Sequence, residues 1–318
     1  MDGAIGVFGF GPVGAATIAL LSGQGRPLRL AQRSAPATLP AGVEFRRCDA
    51  LDADSVASAV DGLAQAVLSI GLPYTGEVWR DAWPRIMTNF VEACARTGAR
   101  LVFFDNLYMY GPQTTPLLET TALQPFGVKP AARVAATRIW QAASDAGRLK
   151  VAAIRAADFY GPGVTNSHLG DTAFGALARG GRATVIGSPD TPHDFAYAPD
   201  CARAVVSLLD APDDAYGQAW HVPNAPIRTP RKILALGVAA LGMTAPRVVG
   251  LPPALLRPLG LFVPALRELA EMRFQWDRPY RVDASRFAAR FWSDATPFEV
   301  GAPATALWFR DRVGRPSG

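Results

Sequence analysis

Short apolar runs alternate with longer helical patterns through the first half of the chain, and this alternation restricts the fold more than any other feature. The runs fall at 5–8, 28–31, 43–46, 66–70, 101–104 and 151–154. Between most of them apolar residues recur at helical spacing, as over 13–21, 82–96 and 133–146. Short runs buried on both faces and joined by helices predict βαβ units feeding a parallel sheet with helices on both sides. After about Gly161 the regularity gives way to segments punctuated by Gly and Pro. With 318 residues, 49% hydrophobic and 19% charged, the chain can build one large α/β domain or two, and it is unlike a disordered, collagen-like or disulfide-stapled chain.

The turn after the first run adds chemistry. Gly9, Gly11 and Gly14 form GFGPVG directly after that run and directly before a helical pattern. In this setting the first glycine makes the tight turn, the second lets backbone approach a pyrophosphate, and the third lets the helix pack closely on the strand. Phe10, Pro12 and Val13 lie in the same turn, and Pro12 suits a helix opening because the N–H it lacks has no helical partner there. The pyrophosphate would sit at the positive end of the helix dipole. A carboxylate about 20 residues onward normally binds the adenosine ribose. No Asp or Glu stands between Gly14 and Glu44, and the second run ends in Gln32, Arg33 and Ser34. An arginine there pairs with a 2′-phosphate that a carboxylate would repel, so NADP is expected rather than NAD. The alternative is that Arg33 is one arginine among many on a solvated loop.

The expected architecture is α/β: a Rossmann-type doubly wound parallel sheet over residues 1–160, completed by about 193–222. The rest of the chain, 161–192 and 223–318, is expected to form a smaller C-terminal lobe. The three cysteines, Cys48, Cys94 and Cys201, form no CxxC pair, which suggests neither zinc nor disulfides and points to a reducing cytoplasm. The N-terminal apolar stretch is broken by glycines and is no signal peptide. The apolar stretch 248–266 carries four prolines and Arg257, which argues against a membrane-spanning helix, and no membrane partner is expected. The formal charge is +5, yet only Lys129, Lys150 and Lys232 are lysines among 32 basic residues. That imbalance reflects genome composition better than nucleic-acid binding, and no nucleic-acid partner is expected.

These residues resemble the extended branch of the short-chain dehydrogenase/reductase superfamily, the NAD-dependent epimerase/dehydratase family. GFGPVG stands for its glycine motif, with a spacing closer to an atypical subgroup. Asp49 and Ala50 in CDALD resemble its adenine-contacting acid and neighbour, and Ser69, Ile70 and Gly71 the segment covering the cofactor ribose. LVFFDNLYMYGP (101–112) resembles its fifth strand and following loop. RAADFYGPG (155–163) resembles its sixth-strand signature, which implies cofactor contacts at Ala157, Asp158 and Phe159. HDFAYAPDCARAV (193–205) is similar to its substrate-side strand and helix. The resemblance implies that the smaller C-terminal lobe is a substrate-binding lobe.

The family's hydride-transfer machinery is a Tyr, a Lys four residues later and a Ser or Thr; the lysine lowers the tyrosine pKa and the hydroxyl polarises the substrate oxygen. The chain contains no YxxxK. Counting from Gly111, the serine position falls on Asn106, the tyrosine position near Lys129 and the lysine position on Arg133. Asn106 can donate its amide to a substrate oxygen, and Lys129 can bind the cofactor or donate a proton if burial and Arg133 depress its pKa. Tyr108, Tyr110 and Tyr160 are alternative proton carriers or packed aromatics. His193, beside Asp194, either serves the substrate or is a loop histidine bonded to backbone; Asp158 either faces the substrate or caps a turn. His168 and His221 attract no functional expectation.

Residues 228–290 hold 11 basic residues against Glu268, Glu271, Asp277 and Asp283. A positive lobe suits an anionic small-molecule substrate, although arginines so dispersed and interleaved with acids read better as solvated surface. The resemblance implies an NAD(P)-dependent oxidoreductase or epimerase/dehydratase-like enzyme with an atypical site, acting on a small carbonyl or hydroxyl compound, and a homodimer. Two alternatives stand beside it: an NADP-binding sensor without turnover, and a non-redox isomerase or lyase with a structural cofactor.

Overall fold

The computed structural model describes residues 3–313. Its first elements are β1 (Ala4–Phe8), α1 (Pro12–Ser22), β2 (Leu28–Gln32), β3 (Val43–Arg47), α2 (Ala53–Val60), β4 (Leu63–Leu68), α3 (Gly76–Thr97) and β5 (Arg100–Asp105). Next come α4 (Val128–Asp145), β6 (Val151–Arg155), β7 (Asp158–Tyr160), α5 (Ala176–Ala178), β8 (Ala183–Ile186), β9 (Phe195–Tyr197), α6 (Ala198–Leu209) and β10 (Gln218–His221). The last are α7 (Pro230–Ala239), β11 (Val248–Leu251), α8 (Leu256–Leu259), α9 (Pro264–Ala270), α10 (Ser285–Arg290) and α11 (Phe298–Arg310).

The chain divides into two units. The first takes residues up to Gly111, Ala122–Ala156 and Cys201–His221; the second takes Pro112–Thr121, Ala157–Asp200 and Val222 onward. In the first unit seven parallel strands run in the order β10-β6-β5-β4-β1-β2-β3. The order reverses between β1 and β4, which makes their C-terminal ends the switch point where such sheets bind ligands. Each apolar run became a strand. β10 escapes the run pattern because QAWH carries a polar residue at each end, yet it pairs with β6 over Gln218↔Ala152 to His221↔Arg155. α2 escapes it because its first turn is polar; the Asp52 carboxylate accepts from Ser55 N at 2.8 Å and caps the helix.

α3 buries Trp79, Trp83, Ile86, Met87, Phe90 and Cys94 on one face. Phe90 meets Phe8 edge-on at 4.7 Å, so the helix is fixed over β1 by aromatic packing. The helix starts at Gly76 rather than at Ala82, where the apolar pattern begins, because its first turn exposes Glu77, Val78 and Arg80 around a single buried Trp79. It ends where Gly98, at φ +76°, takes the left-handed conformation and donates to Cys94 O.

The second unit pairs β8 with β11 and β7 with β9, all parallel. Phe174, Leu234, Val238, Phe298, Ala302 and Phe309 form the centre of its core. The short excursion Pro112–Thr121 belongs to this unit, with Leu117 N donating to Arg281 O at 2.9 Å.

Candidate functional site

At the switch point the glycines differ in what surrounds them. Gly9 sits at φ +100°, and a Cβ there would meet Ser69 O at 2.9 Å and Ile70 Cα at 3.0 Å. A Cβ on Gly14 would overlap the Gly9 carbonyl oxygen. Gly11 has nothing within 4 Å of that position and an ordinary φ of −71°. Two glycines are therefore dictated by packing of α1 on β1, while the middle one borders open space at a helix N-terminus whose first N–H groups lack helical partners. This cradle fits a pyrophosphate.

Around it, Phe10 N donates to Gln32 Oε1 at 3.0 Å and Gln32 Nε2 donates to Ser34 O at 2.8 Å, so Gln32 braces the turn. Pro12 and Val13 open α1, and Arg33 follows β2, exposed. Asp49, also exposed, accepts from Leu51 N at 3.0 Å, and Ala50 O accepts from Asn89 Nδ2 at 2.9 Å. Ser69 donates through Oγ to Phe8 O at 3.2 Å, beside Ile70 and the exposed Gly71. All these positions follow the C-terminal ends of strands in the first unit. Ala157, Asp158 and Phe159 belong to the second unit.

The positions expected to carry hydride-transfer chemistry are arranged otherwise than exposed catalytic groups would be. Lys129 is fully buried, its ammonium 4.8 Å from the centre of the Tyr74 ring. One turn later Arg133 lies 3.6 Å over Trp83 and 4.9 Å over Trp79, with Nη1 3.1 Å from Asp105 Oδ1. Arg155 Nε approaches Asp105 Oδ2 at 3.6 Å. Burial raises the Asp105 pKa and lowers that of Arg133, and the attraction between the two opposes both shifts. The aromatic group Tyr74, Trp79, Trp83 and Tyr108 is continuous, with Trp79 stacked on Tyr108 at 5.9 Å. Asn106 Oδ1 accepts from Tyr108 N at 3.0 Å, which leaves its amide nitrogen as the end that can donate outward.

The tyrosines separate by environment. Tyr110 is fully buried; its hydroxyl accepts from Arg155 Nη1 at 2.7 Å and bonds His221 Nε2 at 2.9 Å. Tyr160, in the second unit, is buried against Tyr197 and Phe298, and burial drives its phenol pKa far upward. Tyr108 alone of the three is half-buried.

The second unit holds an ionisable cluster of its own. His193 is buried, its N–H donating to Arg228 O at 3.0 Å, and its ring Nε2 is 3.2 Å from Asp158 Oδ2. Trp276 Nε1 donates to the same oxygen at 3.0 Å. Burial works against the Asp158 carboxylate, but His193, His168 and Trp276 together hold its pKa below the usual range. His168 lies flat between Trp276 and His193, at 5.6 and 5.7 Å, and burial pushes its pKa down to about 3. Asp194 accepts from Val282 N at 2.8 Å, and burial raises its pKa to about 6. Sequence reasoning assigned no functional role to Asp105, Arg155, His168 or His221, and took Trp276 only as one of several aromatics that could line a pocket or fill the core. The signal available for Asp105 was a carboxylate ending an otherwise apolar strand.

The reversed strand order and the glycine turn at it define a Rossmann-type dinucleotide-binding protein. The chain belongs to the NAD dependent epimerase/dehydratase family, whose model matches residues 5–222. It is similar to the UDP-glucose 4-epimerase of Thermus thermophilus in complex with NAD, with TM-score 0.76 and 22% identity over 96% of this chain and 99% of that one. A DesIV double mutant, a dTDP-glucose 4,6-dehydratase from Streptomyces venezuelae with NAD and DAU bound, gives TM-score 0.78 and 16% identity over 98% of each chain. Bordetella bronchiseptica WbmH in complex with NAD+ gives 0.77 and 18% over 97% and 99%. At these identities the likeness establishes the fold. No curated protein sequence matches the chain.

Two outcomes follow from this geometry. Gly11→Val is expected to keep the wild-type melting temperature and weaken dinucleotide binding at least tenfold by calorimetry, whereas Gly14→Val destabilises the fold itself because its Cβ meets backbone. Asp105→Asn strands two buried guanidiniums, and urea unfolding should show a loss of about 3–5 kcal/mol.

Proposed function

We propose that the chain is a nicotinamide dinucleotide-dependent enzyme of oxidoreductase or epimerase/dehydratase type, acting on a hydroxyl or carbonyl compound without a tyrosine–lysine pair. The reading rests on the glycine cradle, where Gly11 borders open space while Gly9 and Gly14 are dictated by packing. When bound, the cofactor supplies reversible hydride transfer. Gly9, Gly11 and Gly14 hold the pyrophosphate, Asp49 and Ala50 the adenine, and Ser69, Ile70 and Gly71 the ribose side. Asn106 donates its amide to the substrate oxygen, a neutral counterpart of the serine hydroxyl. Tyr108, half-buried and two residues on, is the proton carrier; Lys129 is sealed beneath Tyr74 and has a positioning role. The epimerase and dehydratase among the similar structures favour a sugar nucleotide as substrate, and the surplus of arginines over 228–290 suits such an anion.

NAD is the cofactor in the solved complexes of similar proteins. The end of β2 speaks for NADP, because it offers Arg33 and no carboxylate. We assign Arg33 as the selecting residue.

The burial of Lys129 and the engagement of Arg133 with Asp105 favour a second reading, a cofactor-binding protein without turnover. Product analysis over a panel of sugar nucleotides and small carbonyl compounds, with absorbance at 340 nm followed in parallel, separates the two. The enzyme reading expects product that falls at least 100-fold in Asn106→Ala with cofactor binding retained. Tight cofactor binding with no product from any compound establishes the second reading. Arg33→Glu is expected to weaken NADPH binding at least tenfold, about 1.4 kcal/mol, and to leave NADH within about twofold.

A further inference from the structure

The second unit carries an apolar projection that the cofactor and substrate chemistry leaves unused. α8 and α9 form a short hairpin around Gly260–Val263. At its tip Leu261 is 82% exposed and Phe262 85%, the most exposed large hydrophobics among the described residues. Leu255, Leu259 and Val263 continue the apolar surface on its shoulders. The hairpin is a built element: Leu256 is fully buried at its base, and a Cβ on Gly260 would meet the Arg267 backbone at 2.7 and 2.8 Å. Pro258 and Pro264 fix the chain on either side of the tip.

The backbone N–H groups at the tip are paired. Gly260 N donates to Leu256 O at 2.9 Å, Leu261 N to Pro258 O at 3.3 Å, Phe262 N to Leu259 O at 3.0 Å and Val263 N to Leu259 O at 2.9 Å. An environment without hydrogen-bonding capacity can therefore receive the tip at no cost in unpaired N–H groups, which favours shallow entry at an interface where the carbonyls still meet water. Charge points the same way. No Asp or Glu occurs from Ala215 to Arg267, while exposed Arg257 and Arg267 flank the tip on both sides. Arginine stems lie along apolar surface and keep their heads at the level of lipid phosphates.

We propose that this hairpin docks the protein on the surface of an anionic lipid bilayer, with Leu261 and Phe262 inserted and Arg257 and Arg267 at the headgroups. No helix among the described residues is long and apolar enough to cross a membrane, so the contact is interfacial. Pro258 and Pro264, two of the four prolines that argue against a spanning helix at 248–266, fix the hairpin, and the proposal departs from the expectation of no membrane partner. The proposal is independent of the cofactor and of turnover.

Co-sedimentation of the full chain with vesicles tests it. Vesicles of 70% phosphatidylcholine and 30% phosphatidylglycerol are expected to bind the protein at least tenfold more tightly than pure phosphatidylcholine, with the difference lost in high salt. The double variant Leu261→Ser, Phe262→Ser should lose at least tenfold in binding at an unchanged melting temperature, since neither side chain is packed in the fold. Arg257→Glu with Arg267→Glu should abolish the preference for anionic vesicles. Wild-type protein that stays in the supernatant with both vesicle types overturns the proposal. So does vesicle binding that survives the double serine variant. A dimer in light scattering that the serine variant dissociates, with no vesicle binding, assigns the tip to a second copy of the chain instead.

Discussion

The carboxylate of Asp105 lies wholly inside the first unit between two guanidiniums, and the organisation around α4 follows from that charge. A buried carboxylate needs partners, and the sheet supplies one directly: β5 and β6 pair with Asp105 opposite Arg155. Arg133 of α4 supplies the other and lies flat on Trp83 of α3, so α3 and α4 meet through an ion pair roofed by aromatic rings. Lys129 stands one turn earlier on the same helix face and is carried inward with it, onto Tyr74. The two cationic positions are thus bound to one another by helix geometry. Turning either outward would uncover the buried carboxylate or break the aromatic group.

The sheet and the glycine turn were legible because each rests on local pattern. Short apolar runs alternating with helical patterns mark buried strands from sequence alone, and the three glycines of GFGPVG are read within six residues. The orientation of α4 was not legible: KPAAR shows which residues share a face, but the rings that cover that face come from Tyr74, Trp79 and Trp83, far earlier in the chain. RAADFYGPG reads as one motif, yet the two units divide it between Ala156 and Ala157. β10 was hidden because its burial comes from β6 and not from its own composition. His168 was passed over for a related reason, since its stack with Trp276 joins residues remote in sequence.

The two buried carboxylates are accommodated in opposite ways. Asp105 faces permanent cations, so its environment is set by charge. Asp158 faces an indole N–H and imidazoles, of which His168 is held neutral, so hydrogen bonding and the His193 ring carry the compensation. Hydrogen-bond donors thus compensate Asp158, whereas guanidiniums compensate Asp105.

The positive balance of the C-terminal segment likewise separates into two populations. Arg228, Arg231 and Arg278 lie 2.5, 2.8 and 2.6 Å from Glu299, Asp190 and Asp277, exposed pairs that cancel locally. Arg257 and Arg267 stand in the long acid-free stretch, beside the most apolar surface of the second unit. Where Leu261 and Phe262 project, these two arginines make the surface amphipathic. Water solvates those guanidiniums well and the adjoining rings and methyls poorly, and an interface that satisfies both is one with anionic groups at its surface and hydrocarbon beneath.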